Sequence, residues 1–316
     1  MPLWQKMMIG LARSASVTRL MQESRYMGRF ARRFVGGRDG DEGLARARAL
    51  RERGLSASLF YLGEYVADPA EIEATRRALS GVAQGLGQAG LDVHLSVDPT
   101  QLGAMISWDA CRGNVAALAR DVAENGRGGR DVLMLDMEDS SVTEPTLDLY
   151  HTLRAEGLPV AVTVQAYLHR TEGDLARLVA DGARVRLVKG AFAEPGRVAV
   201  TGRAERDEAY RRAIVTLLSP EARERGVYPV FGTHDHRMAA FAEHVAQVNG
   251  WQRDRWEVEM LLGVRPAWQR ELADRGVSVR LYLPFGRDWW PYSIRRVGEN
   301  PANLGFVFRS MASGAE

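Results

Sequence analysis

Ionisable and hydrogen-bonding side chains stand at the C-terminal edge of one apolar run after another. They are Glu64 in LGEYV, Asp98 in LSVDP, Asp136 with Glu138 and Asp139 in LDMED, Gln165 in VQAYL, Arg186 and Lys189 in RVRLVKGAF, Thr233, His234 and Asp235 in FGTHD, Glu259, and Tyr282 in YLPFG. Packing alone does not account for a polar group at the end of almost every apolar segment. If the segments are parallel strands of a closed barrel, these ends converge on one cavity, where acids, amides and cations can surround a single ligand. Each group taken singly has a plainer reading: Glu138 and Asp139 as helix caps, Glu64 as a surface acid, Asp235 as an N-cap. The joint pattern is what marks a site.

A second cluster follows the last run, in YLPFGRDWWPYSIRRVGEN. Pro291 suits the first position of a helix, and from there Tyr292, Arg295, Arg296 and Glu299 fall at i, i+3, i+4 and i+7, one stripe on one face. Two guanidiniums side by side form a fork for a carboxylate or a phosphate. An anion ~4 Å from each, at an effective dielectric near 20, gains about 4 kcal/mol per pair before desolvation. The plainer alternative is an Arg295–Glu299 pair on a solvated face. It runs in the weaker order, contributes only ~0.2–0.5 kcal/mol, and leaves Tyr282, Trp289, Trp290 and Tyr292 unexplained. Aromatics beside an anion fork suit a small apolar body carrying one acidic group.

The elements that must position these groups read as eight β-rich runs, at 58–66, 91–97, 131–139, 159–168, 184–192, 227–235, 255–263 and 277–286, separated by helical patterns. Most runs are continuously apolar, as strands covered on both faces are. The helical stretches open on Asp or Thr and close on Gly, the residues of helix caps. Eight β-then-α units predict an α/β fold, a (β/α)8 TIM-type barrel, over 58–316 with an N-terminal helical layer over 1–57 packed on it. GLGQAG, Gly85 to Gly90, matches the dinucleotide fingerprint letter for letter, but it follows a helix and precedes a strand, the reverse of what that motif requires. It reads as a helix end and a tight turn.

Composition narrows the classes. With 316 residues, 46% hydrophobic, and 42 basic against 40 acidic side chains, the formal net charge is +2, so no global field draws nucleic acid. Lys6 and Lys189 are the only lysines among many arginines. Cys111 is alone, which excludes an internal disulfide framework and a cysteine metal cluster and fits a reducing, cytoplasmic compartment. No apolar run approaches the ~18 residues of a membrane span. The Arg-rich N-terminal segment is read as helices packed on the body, with peripheral contact at the inner face of the cell membrane as the alternative.

The C-terminal block resembles the signature of the proline dehydrogenase family, Y-x-P-x-G followed by Y-x-x-R-R-x-x-E-N, and LGEYV, LDMED, VQAYLHR, RVRLVKGAF and FGTHD resemble its other strand-end motifs in order. The resemblance covers the chain from about residue 27 onward. It implies a distorted (β/α)8 barrel with FAD, oxidising L-proline to Δ1-pyrroline-5-carboxylate and passing electrons to a quinone. By the same resemblance, Arg295 and Arg296 hold the substrate carboxylate, Tyr282, Tyr292 and Leu261 wall the ring, and Glu64 pairs with Arg295. Asp136 lies near substrate and flavin, and Arg186 lies by flavin N5. Met137, Gln165, Val188, Lys189, Gly190, Ala191, Thr233, His234 and Glu299 make further FAD contacts, the glycine permitting close backbone approach. No metal is implied.

The chain departs from that pattern at Asp98, where the family usually carries a lysine near the substrate, and in smaller ways at Phe192 for Tyr and Glu259 for Gln. Asp98 keeps two alternatives open: a related imino acid as substrate, or a relative that binds flavin or imino acid without turnover. A metal-dependent barrel hydrolase, suggested by THDH and DMED, lacks the further histidine and carboxylate ligands such a site needs.

Overall fold

A computed structural model describes residues 33–287 apart from Gly129, together with Trp289 and Tyr292. Helix α1 (Gly40–Arg51) leads into eight strands: β1 (Ser56–Tyr61), β2 (His94–Val97), β3 (Val132–Leu135), β4 (Val160–Gln165), β5 (Arg184–Val188), β6 (Tyr228–Gly232), β7 (Glu257–Leu261) and β8 (Val279–Phe285). Between them lie α2 (Pro69–Gln88), α3 (Trp108–Asn125), α4 (Thr143–Ala155), α5 (Thr171–Ala180), α6 (Arg203–Leu217), α7 (Pro220–Glu224), α8 (His236–Val248) and α9 (Pro266–Asp274). The strands close into a barrel in sequence order, and β8 returns parallel to β1 with Ser58 opposite Tyr282. The eightfold β/α reading is therefore the fold observed.

The strands are shorter than the apolar runs suggested. β2 keeps only His94–Val97, because Pro99 has no N–H for the ladder and opens a 3-10 turn directly after Asp98. β1 ends at Tyr61, so Glu64 sits in the following loop rather than at the strand end. Arg186 and Tyr282 lie within β5 and β8, not at their ends.

Cap chemistry divides. The Asp68 carboxylate accepts from the Ala70 N–H at 2.8 Å and Asp235 accepts from Arg237 N–H at 3.1 Å, as N-caps do. The expected threonine caps do something else. The Thr171 hydroxyl donates to the Gln165 carbonyl at 2.6 Å, fastening its helix to the end of β4, and Thr143 donates to the Asp139 carbonyl at 3.3 Å, fastening its helix to the loop after β3. Gly85 and Gly87 belong to α2, and Gly90 follows it at φ 67°, so GLGQAG is a helix end as its context required.

The main core lies between the outer faces of the strands and the helices, and Ala47 and Leu50 of α1 belong to it. Inside the barrel the apolar content is small: Val132, Met134, Ala161 and Val230, with Tyr228 against them. Arg184, Arg186, Glu257, Glu259, Arg280 and Tyr282 share the inward face at period two. The interior is thus stacked with ion pairs where branched aliphatics more often fill a barrel.

Candidate active site

Arg186 organises the upper interior. Its guanidinium gives Nε to Glu259 at 2.7 Å and Nη2 to the other Glu259 oxygen at 2.8 Å, a bidentate pair across the barrel. Nη2 also donates to the Ser96 hydroxyl at 2.9 Å and, at a longer 3.5 Å, to that of Ser58. Nη1 donates to Asp136 and, at a longer 3.5 Å, to Thr163. Thr163 is the register partner of Arg186, and its hydroxyl donates to Asp136 at 3.2 Å. Tyr282 reaches the second Asp136 oxygen with its hydroxyl at 2.7 Å, and its ring lies 5.3 Å from the Arg186 guanidinium carbon. Phe60 stacks on Tyr282 with ring centroids 5.4 Å apart. Strands β1, β2, β4, β5, β7 and β8, and the turn after β3, each send one group to this cluster.

Burial and charge act together here. Burial opposes the Arg186 charge, but Glu259 and Asp136 more than offset it, so the guanidinium stays protonated throughout any working pH. Burial pushes both acids upward against the pull of Arg186. The Tyr282 phenol is pushed well above the usual tyrosine range by burial and then by the charges of Asp136 and Asp98; Tyr292 adds to the effect. Tyr292 and Trp289 are helical and buried, so these two aromatics of the C-terminal block lie on the body of the barrel.

Around this centre the mouth is built from loops that brace one another. The Glu138 carboxylate accepts from the Thr100 N–H at 3.0 Å and from its hydroxyl at 2.5 Å, tying the loop after β3 to the turn after β2. Burial raises the Glu138 acid to about 7. Gln165, at the end of β4, donates from Nε2 to the Glu138 carbonyl at 2.8 Å. Tyr65, held at φ 53°, donates its N–H to the Thr100 hydroxyl at 3.2 Å, and Glu64 beside it adds to the charge felt by Glu138.

On the opposite rim, Lys189 is shared between Asp207 at 2.5 Å and Asp235 at 3.2 Å. His234 Nε2 accepts from the Leu261 N–H at 2.9 Å, which fixes the ring against the end of β7, and Thr233 accepts the Asp235 N–H at 3.1 Å. Gly190 adopts φ 107°, and a Cβ there would lie 2.1 Å from the Tyr167 ring. The need for glycine at this point is met by Tyr167 itself. Val188 closes β5, Met137 is buried and Ala191 exposed.

The structure therefore brings together Asp136, Arg186 and Tyr282 at the centre, with Asp98 buried directly after β2 and Glu64, Gln165, Lys189, Thr233, His234 and Leu261 around the mouth. Arg295, Arg296 and Glu299 lie outside the described residues. Sequence reasoning passed over Ser58, Ser96 and Thr163, hydroxyls inside apolar strands whose only signal was strand parity, and it gave Glu259 no partner. Among the described residues no group of three or more His, Cys, Asp or Glu is arranged to hold a metal ion.

A flavin fits this donor set. Arg186 offers a cation whose longest contacts, to Thr163 and Ser58 at 3.5 Å, an incoming acceptor can displace, with the Gln165 amide at the end of the neighbouring strand.

The family model described as proline dehydrogenase matches residues 43–309. Proline dehydrogenase 2 of Bacillus subtilis is 33% identical over 283 residues, 89% of this chain and 90% of that one. Proline dehydrogenase of Deinococcus radiodurans is 31% identical over 314 residues, 99% of both chains. Among solved structures, proline utilization A from Bdellovibrio bacteriovorus, inactivated by N-propargylglycine, superposes with a TM-score of 0.80 at 22% identity. That match covers 94% of this chain and 36% of that larger one, and at this identity it bears on the fold alone. With the model spanning most of the barrel and the two bacterial relatives aligned along nearly their whole length, the chain belongs to the proline dehydrogenase family.

Proposed function

We propose that this chain oxidises L-proline to Δ1-pyrroline-5-carboxylate in proline catabolism, with FAD as the resident cofactor and a quinone as the final acceptor. The observation that carries it is the buried Arg186–Asp136–Tyr282 cluster at the mouth of a barrel whose relatives are named for this reaction. FAD, when bound, supplies the hydride acceptor. The protein's share is binding, orientation and field. Arg186 would face the reactive edge of the cofactor. Gln165, Met137, Val188, Gly190, Ala191, Thr233, His234 and Glu299 would hold the rest of it, and Lys189 would reach its phosphates only by sharing its charge with Asp207 and Asp235.

Tyr282, oriented by its bond to Asp136, would wall the substrate ring with Tyr292 and Leu261, while Arg295 and Arg296 take its carboxylate and Glu64 closes over them. The substrate gives up its electron pair as a neutral amine. Among the described residues no helix is long and apolar enough to cross a membrane, and contact with a quinone-bearing membrane would be peripheral.

Anaerobic addition of L-proline to the flavin-loaded chain is the test, and loss of the oxidised-flavin absorption band is the expected result. Asp98, close enough to Tyr282 to raise its phenol, favours a second reading in which a related imino acid is preferred. Hydroxyproline and pipecolate in the same titration decide between them. No bleaching with any of the three sinks the oxidation and leaves a binding protein.

A further inference from the structure

The Arg186 guanidinium has five N–H bonds to give, and two carboxylates take three of them. The hydroxyls of Ser96 and Thr163 take the remainder. Arg186 and Glu259 are both nearly excluded from solvent, with 5% and 3% of their side chains exposed, and Asp136 is at 14%. One buried positive charge thus faces two buried carboxylates. A single acid would suffice to hold the arginine in place. The second adds a desolvation cost that its pairing need not repay, so stability alone does not account for it. An excess of buried negative charge beside a redox group has an electrostatic consequence that does not depend on stability.

The geometry points to Glu259 as a positioning residue that sets the reduction potential of the cofactor through Arg186. It does so by cancelling the guanidinium charge that would otherwise favour the reduced form. The inference rests on the proposed function. In that reaction the C–H electron pair of the substrate and its proton would pass together as hydride, so a bound cofactor would gain one negative charge overall. An unopposed guanidinium would favour that change; Glu259, bidentate on the same guanidinium, opposes it. The reduced cofactor is thereby a stronger reductant toward its acceptor.

The test is an anaerobic, dye-coupled potential titration of the FAD-loaded parent, Glu259→Gln and Glu259→Asp at one pH. In Glu259→Gln the ratio of reduced to oxidised flavin at a fixed dye potential rises about tenfold, about 30 mV for a two-electron couple, while Glu259→Asp stays within about twofold of the parent. A Glu259→Gln ratio unchanged or lowered overturns the inference. A second measurement does not need the Gln variant to fold. The reduced-minus-oxidised infrared difference spectrum of the parent carries a carboxylate band that shifts in Glu259→Asp, and a spectrum without such a band, or with a band indifferent to that change, also overturns it. A parent that takes up no flavin overturns the proposed function and this inference with it. A flavin bleached by substrate with an unmoved potential in Glu259→Gln overturns this inference alone.

Discussion

The side chains that matter most are those whose partners are fully committed. Arg186 holds two carboxylates in a buried space, so Arg186→Met leaves both without a cation. Breaking a buried pair from one side costs about 3–5 kcal/mol, and urea unfolding should show a loss of that order. Tyr282→Phe keeps the ring on Phe60 and removes only the hydroxyl that Asp136 accepts. The unmet acceptor should cost about 1–3 kcal/mol in the same assay, with a lower rate of flavin bleaching. Arg296→Met tests the fork beyond the described residues: KM for proline rises by ~10²-fold while bound FAD is retained, since a carboxylate partner is lost and the cofactor's contacts are not. Equal kinetics in parent and variant would show that the fork does not serve the substrate. These roles were readable to different depths. Asp136, Arg186 and Tyr282 stood out because charge and phenol at the ends of apolar runs are anomalous. Ser58, Ser96 and Thr163 did not, because a small hydroxyl inside a strand is as common in a core as in a site.

At the scale of elements, the loops after β2 and β3 are joined through one ionisable side chain. Glu138 accepts two hydrogen bonds from Thr100 and is raised from 4.5 to about 7 by burial, with Glu64 and Asp139 adding to the rise. The folded state therefore binds this proton more tightly than the unfolded one. Its contribution to stability is fully present below pH 4.5 and is lost as pH rises through about 7, a change of roughly 3 kcal/mol at ~1.4 kcal/mol per unit. Urea unfolding of the parent should weaken over this window, whereas Glu138→Gln should be flatter; equal slopes would show that another group carries the proton. The glycine after β5 is the other element-scale point. Gly190→Ala forces a side chain into φ 107° and against the Tyr167 ring, so the loop must shift. A loss of about 1–3 kcal/mol and a lower flavin content at saturation are expected.

The whole molecule is a barrel whose inside is ionic at two levels. Below the Arg186 cluster, Arg280 donates to Glu257 at 2.7 Å, to Asp92 at 2.9 Å and to the Ala57 carbonyl at 2.8 Å, spanning β7, β8, β1 and the approach to β2. Arg280 is wholly buried, so its guanidinium ties together the seam where the last strand meets the first. His94, on β2, has both ring nitrogens buried without a hydrogen-bond partner, and burial with the charges of Arg280 and Arg186 holds it neutral. Arg280→Met should destabilise the chain by about 3–5 kcal/mol, because Glu257 and Asp92 lose their cation at the closing seam. Thermal unfolding followed by circular dichroism reads it, and an unchanged midpoint would mean that the seam is held by the ladder alone.

Eight apolar runs, the helices between them and the polar residues at the run ends were determined by sequence alone, because periodicity, turn residues and cap chemistry are local properties of the chain. Those features fixed the barrel and the end of it that carries the site. Only the tertiary structure decided that Glu259 faces Arg186, that Glu138 braces Thr100, that Lys189 is held by two acids and that Thr143 and Thr171 tie helix starts to the segments before them instead of capping them. The first three are choices of partner between segments distant in sequence, and the threonine contacts, though local, depend on where the strand before each helix ends. Strand parity says which side chains enter the barrel; closure, register and the need to satisfy every buried charge decide which of them meet.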